Sequence, residues 1–491
     1  MASLMAVSLV CLGAGTAARE LTLQEAFDIA LAGTGRGMII DGNLEVAEQN
    51  YFAEKINFYV PEISINGSLP AYRVNETYDF FPGTDVKGFG RSTRLDFDAD
   101  ITLKQNLITG GDLTVRANLV DNDWDYPLRT SSTVDGNTVF SSRTITEARK
   151  LGTFSFDLEQ PILKPSDAKH QLRTSRDDMD LARLAGVEAA AELKSEVVQA
   201  FLGVLQAEIN LSIGQAELES AQLKAEIDSM KLNDEIISEE DWLLSSSNRL
   251  DAELGKFDAD NVMDQFQRDL MMLLEWEDEA PPRPLLPDTV IHLSESERQV
   301  TIDAWSDCVA IRKARLKYRK AEREADYAAS AHGLTGTIAA SYGMERGKIE
   351  DNRSGLSAGE DLQTDSWGIS LNFRYPLWDG GASGAAVKAA RLTAEQADLE
   401  LQKAQKSARA DIASLVNKVD LSHRKLGVLK RQIELAENRM NISQSRFDDG
   451  QISKLTFLES RISYLQARDK YLQEMKDYYL ARVELEGKYL R

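Results

Sequence analysis

What this chain lacks narrows its function before anything it contains. Its two cysteines are Cys11, inside an N-terminal apolar run, and Cys308, which stands alone, so no disulfide framework and no thiolate metal site can be built. The four histidines, His170, His292, His332 and His423, are scattered without ligand spacing. There is no P-loop, dinucleotide fingerprint, Gly-x-Ser-x-Gly elbow or Cys/His pairing. The chain therefore reads as a non-enzyme, with no cofactor and no metal expected. Positive charge is also scarce: 57 Lys and Arg against 79 Asp and Glu leave a net charge of −22. Nucleic acid, whose phosphates need clustered cations, is excluded as a partner, and so is a basic patch on an anionic membrane surface. After the N-terminus no run approaches the ~18 to 20 apolar residues of a membrane helix. A mature chain that crosses a membrane must then do so as strands.

Residues 1–18 are apolar and end in Ala14-Gly15-Thr16-Ala17-Ala18, the small residues that suit signal-peptidase cleavage near Ala17 or Ala18. The leader lacks a basic n-region, which leaves open a true start further upstream. Ser8-Leu9-Val10-Cys11 places a bulky Val before the cysteine and argues against a lipoprotein.

The rest is organised around a helical hairpin near the C-terminus. Ile412, Leu415, Val419, Leu426, Leu429, Ile433, Ala436, Met440 and Phe447 fall on alternating steps of three and four, broken only at Ser422 and Ser443. That period of about 3.5 predicts coiled-coil packing against a neighbouring helix. After the break Asp448-Asp449-Gly450, the same spacing resumes at Leu455, Leu458, Ile462, Leu465 and Leu472, so the arms are antiparallel. Moving the pattern 215 residues upstream, without a gap, lands on Val197, Ala200, Val204, Ala207, Leu211, Gly214, Leu218 and Ala221. The chain is an internal tandem repeat. Residues 19–276 form the first copy, with strands over about 62–160 and a helical hairpin over about 166–276. Residues 294–491 form the second, with strands over about 334–376 and a hairpin over about 383–487. The Pro-rich stretch 277–293 links them, because Pro281, Pro282, Pro284 and Pro287 forbid regular helix or central strand.

Each copy opens on a helix. Thr22, with Glu25 three residues on, predicts a capping box, and Ser294 to Val309 restarts the unit in the second copy. Glycines 33, 35, 37 and 42 are expected to interrupt the first helix, which resumes near Leu44 and stops before Pro61. The period then becomes two. Ile63, Ile65, Gly67 and Leu69; Leu95 to Leu103; Leu113 to Leu119; and Phe154, Phe156 and Leu158 alternate with polar residues, and so do Ile338, Ala340 and Tyr342 and Trp367 to Tyr375. The segments Asp121 to Arg149 and Glu345 to Asp365 read as surface loops. One-sided strands of about nine residues also occur in soluble sandwiches. Here nothing else in the chain pairs with them to cover the apolar faces, and a closed membrane barrel is the alternative that satisfies every backbone group. One chain supplies four to six strands against a practical minimum of about eight, so several protomers must share the barrel.

The order of helix, proline, strands and long helical hairpin, given twice, resembles the TolC-like outer-membrane efflux proteins. The matching residues are the opening Leu23 to Leu31, the joint Tyr375-Pro376-Leu377-Trp378-Asp379-Gly380-Gly381, and the tip Arg446-Phe447, Gly450, Ser453, Leu455 and Leu458-Glu459-Ser460. The resemblance implies an α+β membrane protein of the outer membrane with a large periplasmic portion. It would be a homotrimer whose twelve strands form one shared β-barrel in outer-membrane lipid, continued by a periplasmic α-helical barrel, with the linker at its equator. It implies an exit duct of a tripartite efflux or secretion system, passively conducting substrates from an inner-membrane transporter and a periplasmic adaptor (membrane fusion) protein. A type I protein-secretion channel uses the same conduit, and a periplasmic coiled-coil adaptor or structural protein is the alternative of another class. The adaptor-contacting tips would be Gly450, Gln451, Ile452, Ser453 and Leu455 with Glu235, Ile236, Ile237 and Ser238. In the family, acidic residues three apart line the constriction. The matching positions are Thr456 and Glu459, so one acid is missing, and Asp241, the first-repeat counterpart of Thr456, is the substitute. Solvated helix faces are the alternative reading of these carboxylates.

Overall fold

The computed structural model of the protein describes residues 19–163, 165–278, 280–287, 294–352 and 358–489. The leader expected over residues 1–18 lies outside them, as does part of the linker. The chain divides into two compact units, each assembled from both repeats: residues 1–46, 180–316 and 398–491, and residues 47–179 and 317–397.

The first unit is helical. A two-residue strand, β1 (Glu20–Leu21), leads into α1 (Leu23–Ala32), where Thr22 and Glu25 form the expected capping box. β1 pairs in parallel with β6 (Arg283–Pro284), so the linker is tied back to the start of the mature chain. The glycines interrupt the opening helix less than expected. Helix α2 runs Gly35–Tyr59, and only Thr34 and Gly33 separate it from α1. Thr34 is buried, donates to the Ala30 carbonyl and accepts from the Gly37 amide, so one side chain bridges the break and lets helix resume at once. Helix α5 (Glu295–Asp303) has the same device, Ser294 with Glu297, and α6 (Val309–Ala331) follows after one short helical turn.

The repeat is legible in the element bounds. Helix α3 is Asp167–Asn233 and α7 is Ala382–Asp448, each 67 residues, with starts 215 apart; α4 (Glu239–Leu273) and α8 (Lys454–Gly487) also start 215 apart. The 3.5-residue seam is buried as its period requires. Ile412, Leu415, Val419, Ser422 and Leu426 are buried, and from Leu429 to Phe447 the same positions are half-buried. Facing them are Leu458, Leu465, Leu472, Met475 and Tyr478 of α8. In the first copy Val197, Val204 and Ala207 are buried together with Val198, Phe201 and Leu202, so the central stretch of α3 is apolar on more than one face. That stretch corrects the expectation that no internal run could cross a membrane. An 18-residue window of α3 has mean hydropathy 1.3, and half of it is buried in the protein, as a core helix requires. Gly203 sits where a Cβ would lie 2.6 Å from the Phe266 ring, so its lack of a side chain sets the close approach of α3 and α4.

The second unit is a six-stranded antiparallel sheet with helix ends attached. Its strands are β2 (Glu62–Phe80), β3 (Lys87–Asn106), β4 (Asp112–Val134), β5 (Asn137–Pro161), β7 (Thr335–Asp351) and β8 (Ala358–Arg374), in that spatial order. The strands are 17 to 25 residues long rather than about nine. Both expected surface loops are strand: Asp121 to Arg149 lies in the β4–β5 ladder, and Glu345 to Asp365 in the β7–β8 ladder. Alternation fails there because neither face is covered by an apolar phase, while the ladder itself continues through residues rich in Thr and Ser. The missed signal is Asp135-Gly136, both at positive φ (50° and 80°), a two-residue hairpin turn between Val134 and Asn137. Below the sheet, α3 and α6 are joined by Tyr327 to Asp167 (2.6 Å), His170 to Glu324 (3.0 Å), Arg323 to Asp177 and Lys320 to Asp178.

Candidate functional site

Two features of this fold carry function: the reversal points of the helical hairpins, and the two-faced sheet. At the first tip the Ile236 amide donates to the Lys231 carbonyl (2.9 Å) and the Glu235 amide to Leu232 (3.0 Å). At the second, 215 residues on, the Gln451 amide donates to Arg446 (2.8 Å) and the Gly450 amide to Phe447 (2.9 Å). These bonds close the C-terminal carbonyls of α3 and α7 around one left-handed residue. Ser238 and Ser453 then cap α4 and α8. The seam's serine breaks have a purpose here. Ser443 and Ser460 bond across the second hairpin (2.9 Å), and Asp228 bonds Ser245 at the same positions of the first, with Lys231 at 3.2 Å. The Ser245 hydroxyl, reinforced by Lys231, holds the Asp228 carboxyl below the usual range against the opposing effect of burial.

The expected tip residues sit as follows. Gly450, Gln451, Ser453, Glu235, Ile236 and Ser238 are exposed, and Ile452, Leu455 and Ile237 half-buried. Ile236 presents an uncovered branched side chain at the first tip. The residues expected at a constriction are not drawn together within one chain. Asp241 turns its carboxylate back onto the Ser238 amide (3.2 Å) and hydroxyl (2.7 Å), completing a capping box. Thr456 meets Ser453 (3.0 Å) at the equivalent cap, where no carboxylate can return the bond. Glu459 is exposed on the second turn of α8. The hairpins lie side by side, tied by Lys454 to Glu219 (2.6 Å) and Gln206 to Asp469 (3.1 Å).

The sheet's faces are chemically separated. One row across all six strands is Ile63, Leu103, Val115, Phe156, Tyr342 and Trp367; the next row is Ser64, Thr102, Arg116, Ser155, Gly343 and Ser366. The first face has no cover in the protein: Ile65, Trp367, Ile369 and Phe373 are all strongly exposed. The second face carries Asp96, Asp98 and Asp100 on β3. Asn118 donates to Asp98 (2.7 Å), and Thr102 and Asn66 donate to Asp100 (2.9 and 3.3 Å). Away from the helix end, β4 stops pairing with β3 at Asp125, while the β4–β5 ladder runs on to Val134. The freed hairpin lies over the polar face of β2 and β3: Arg129 reaches Asp79 (3.3 Å), Ser131 donates to the Pro82 carbonyl (2.8 Å), and Phe140 packs on Phe81.

Comparison with known proteins decides between the readings. Residues 308–487 match the model of the family described as outer membrane efflux protein. This part of the chain belongs to the outer membrane efflux protein family. The fold of the whole chain agrees with it. The Campylobacter jejuni CmeC outer membrane channel is 14% identical with a TM-score of 0.57, over 95% of this chain and 86% of that one. A membrane protein from Pseudomonas aeruginosa is 14% identical at TM-score 0.57, covering 99% and 97%. The outer membrane protein VceC of Vibrio cholerae is 12% identical at TM-score 0.56, covering 96% and 97%. No curated protein sequence matches the chain. The resemblance to TolC-like efflux proteins therefore holds: the second repeat carries the family's sequence pattern and the whole chain its α+β fold. The first repeat shares the efflux-protein plan through the 215-residue register of its helices.

Proposed function

We propose that this chain is the outer-membrane exit duct of a tripartite efflux or secretion system, conducting cargo passively. The observation that carries the reading is the sheet of the second unit. It has an apolar face with no partner, a charged face, and all its helix connections at one end. Such a sheet suits lipid on one side and water on the other, and its open edges suit closure with further copies into a homotrimeric barrel. The helical hairpins would form the periplasmic portion. Their tips, around Gly450 to Leu455 and Glu235 to Ser238, would meet the hairpins of a periplasmic adaptor serving an inner-membrane transporter. A periplasmic adaptor as the identity of this chain is disfavoured by the six-stranded sheet.

The constriction would lie near the tips, where copies of Glu459 from three protomers face one aqueous path. Like charges there attract cations, so Glu459→Gln is expected to weaken block by divalent cations from the tip side in bilayer recordings. An unchanged block would make Glu459 a solvated surface residue. Asp241 contributes mainly through its cap. The reading as a whole is tested by native mass and crosslinking. Detergent-extracted protein should be a trimer, and cysteines at Gln451 and Ile237 should crosslink to the adaptor while one at Asp351 should not. A stable monomer, or the reverse crosslinking pattern, would refute it.

A further inference from the structure

We infer that β3 and β4 belong to the barrel wall and that one chain's β8 edge pairs with the β2 edge of the next copy, so the shared barrel has eighteen strands. The inference rests on the trimer reading above, and departs from the four strands per chain, twelve per trimer, that the resemblance implies.

Three observations place the additional pair in the wall. β3 is hydrogen-bonded along its length to β2 on one side and to β4 on the other, and β4 to β5, so removing them would leave β2 without a neighbour in the protein. The faces also stay in phase through them. Ile101 stands between Ile65 and Ala117, and Leu103 between Ile63 and Val115, while Asp98 and Asp100 point with Ser68 and Asn66. A hairpin lying outside the wall would have no reason to keep lipid-facing and water-facing residues in register with both flanking strands. The turn joining β3 to β4 is short and fastened at the helix end: Gln105 donates to the Phe58 carbonyl (3.2 Å), Asn106 to Asn57 (2.7 Å), and Thr109 to Gln160 (2.6 Å). Short turns on the periplasmic side are what membrane barrels use.

The occupant of the two free edges follows from backbone chemistry. In lipid the unpaired N–H and C=O groups of β2 and β8 cannot remain open, and six strands are fewer than the ~8 that close a barrel. The outward residues of the edge strands are also the barest: Ile65 is 75% and Trp367 80% exposed, against 37% and 38% for Phe154 and Phe156 inside the sheet. A second copy supplies the missing neighbour at each edge and leaves two new edges until the ring closes. Since barrel diameter grows roughly linearly with strand number, eighteen strands give a wall about 1.5 times as wide as twelve, in the range that leaves an open aqueous channel.

Native mass spectrometry of the detergent-extracted full chain, with electron cryomicroscopy of the same particles, tests this. Three copies sharing eighteen strands is the expected result. Three copies with a twelve-stranded wall, the β3–β4 pair lying outside it, would overturn the inference and leave the trimer standing. A dimer closing twelve strands would overturn both, and the mass alone would say so.

Discussion

Glu235 and Gly450 occupy the same position of the two hairpin tips, 215 residues apart, and both are left-handed, with φ of 58° and 71°. The conformation costs a residue with a Cβ about 1 to 2 kcal/mol, and glycine almost nothing. The backbone bonds around the two residues are the same, so the first tip holds its shape against local strain. Glu235→Gly is therefore expected to stabilise the first hairpin by about 1 kcal/mol, and Gly450→Glu to destabilise the second by a similar amount. Thermal melting followed at 222 nm would check it. An unchanged midpoint in both variants would mean the tips relax to another turn.

The cross-hairpin bond behind each tip makes a pH prediction. Asp228 has its carboxyl lowered by the Ser245 hydrogen bond, where the second repeat pairs Ser443 with Ser460. A carboxyl with a folded pKa below its unfolded value of about 3.9 contributes stability that is complete above that value and is lost as pH falls through the folded one. Asp228→Ser copies the second repeat. It should lower the melting point at pH 7, and the difference from the parent should shrink on acidification below about pH 4. A difference independent of pH would assign the effect to packing.

At the far end of the sheet, Gly90 leaves room for Arg129. A Cβ on Gly90 would stand 2.2 Å from the Arg129 guanidinium and 2.8 Å from Pro127. Gly90→Val should therefore lift the β4–β5 hairpin off the polar face while leaving the barrel assembled. Protease nicking near Asp135 should quicken several-fold with trimer yield unchanged. Equal nicking rates would show that the hairpin is held elsewhere.

Much of this architecture was legible in the sequence because burial is periodic. The seam from Ile412 to Phe447 and the capping box of Thr22 are local rules, and the structure follows them. The 215-residue offset located the helix bounds of one repeat from the other. Strand extent was not legible. Past Leu119 the residues of β4 no longer alternate, Asp121 and Asp123 standing on the face that Val115 and Ala117 begin, so the pattern ended where the apolar surroundings ended and the ladder did not. Asp135-Gly136 was the one local signal for that hairpin. The tip acids were legible as positions but not as roles, since Asp241 follows a serine cap and its bond depends on a three-residue spacing that was not weighed there.

The aspartates of β3 give the charged face its sign. Replacing Asp96, Asp98 and Asp100 together by Asn should reduce cation preference, moving the reversal potential under a tenfold salt gradient toward zero by tens of millivolts, since rings of acidic side chains select cations. An unchanged reversal potential would place the selecting charge at the tips.

The central claim is that copies of this chain together enclose a water-filled path. Reconstituting the purified trimer into planar bilayers and recording single-channel current tests it most directly. The account expects discrete conductance steps that depend on salt and favour cations. Trimers that insert, resist extraction as barrel proteins do, and yet pass no current from either side under any voltage or cation-free condition would contradict it.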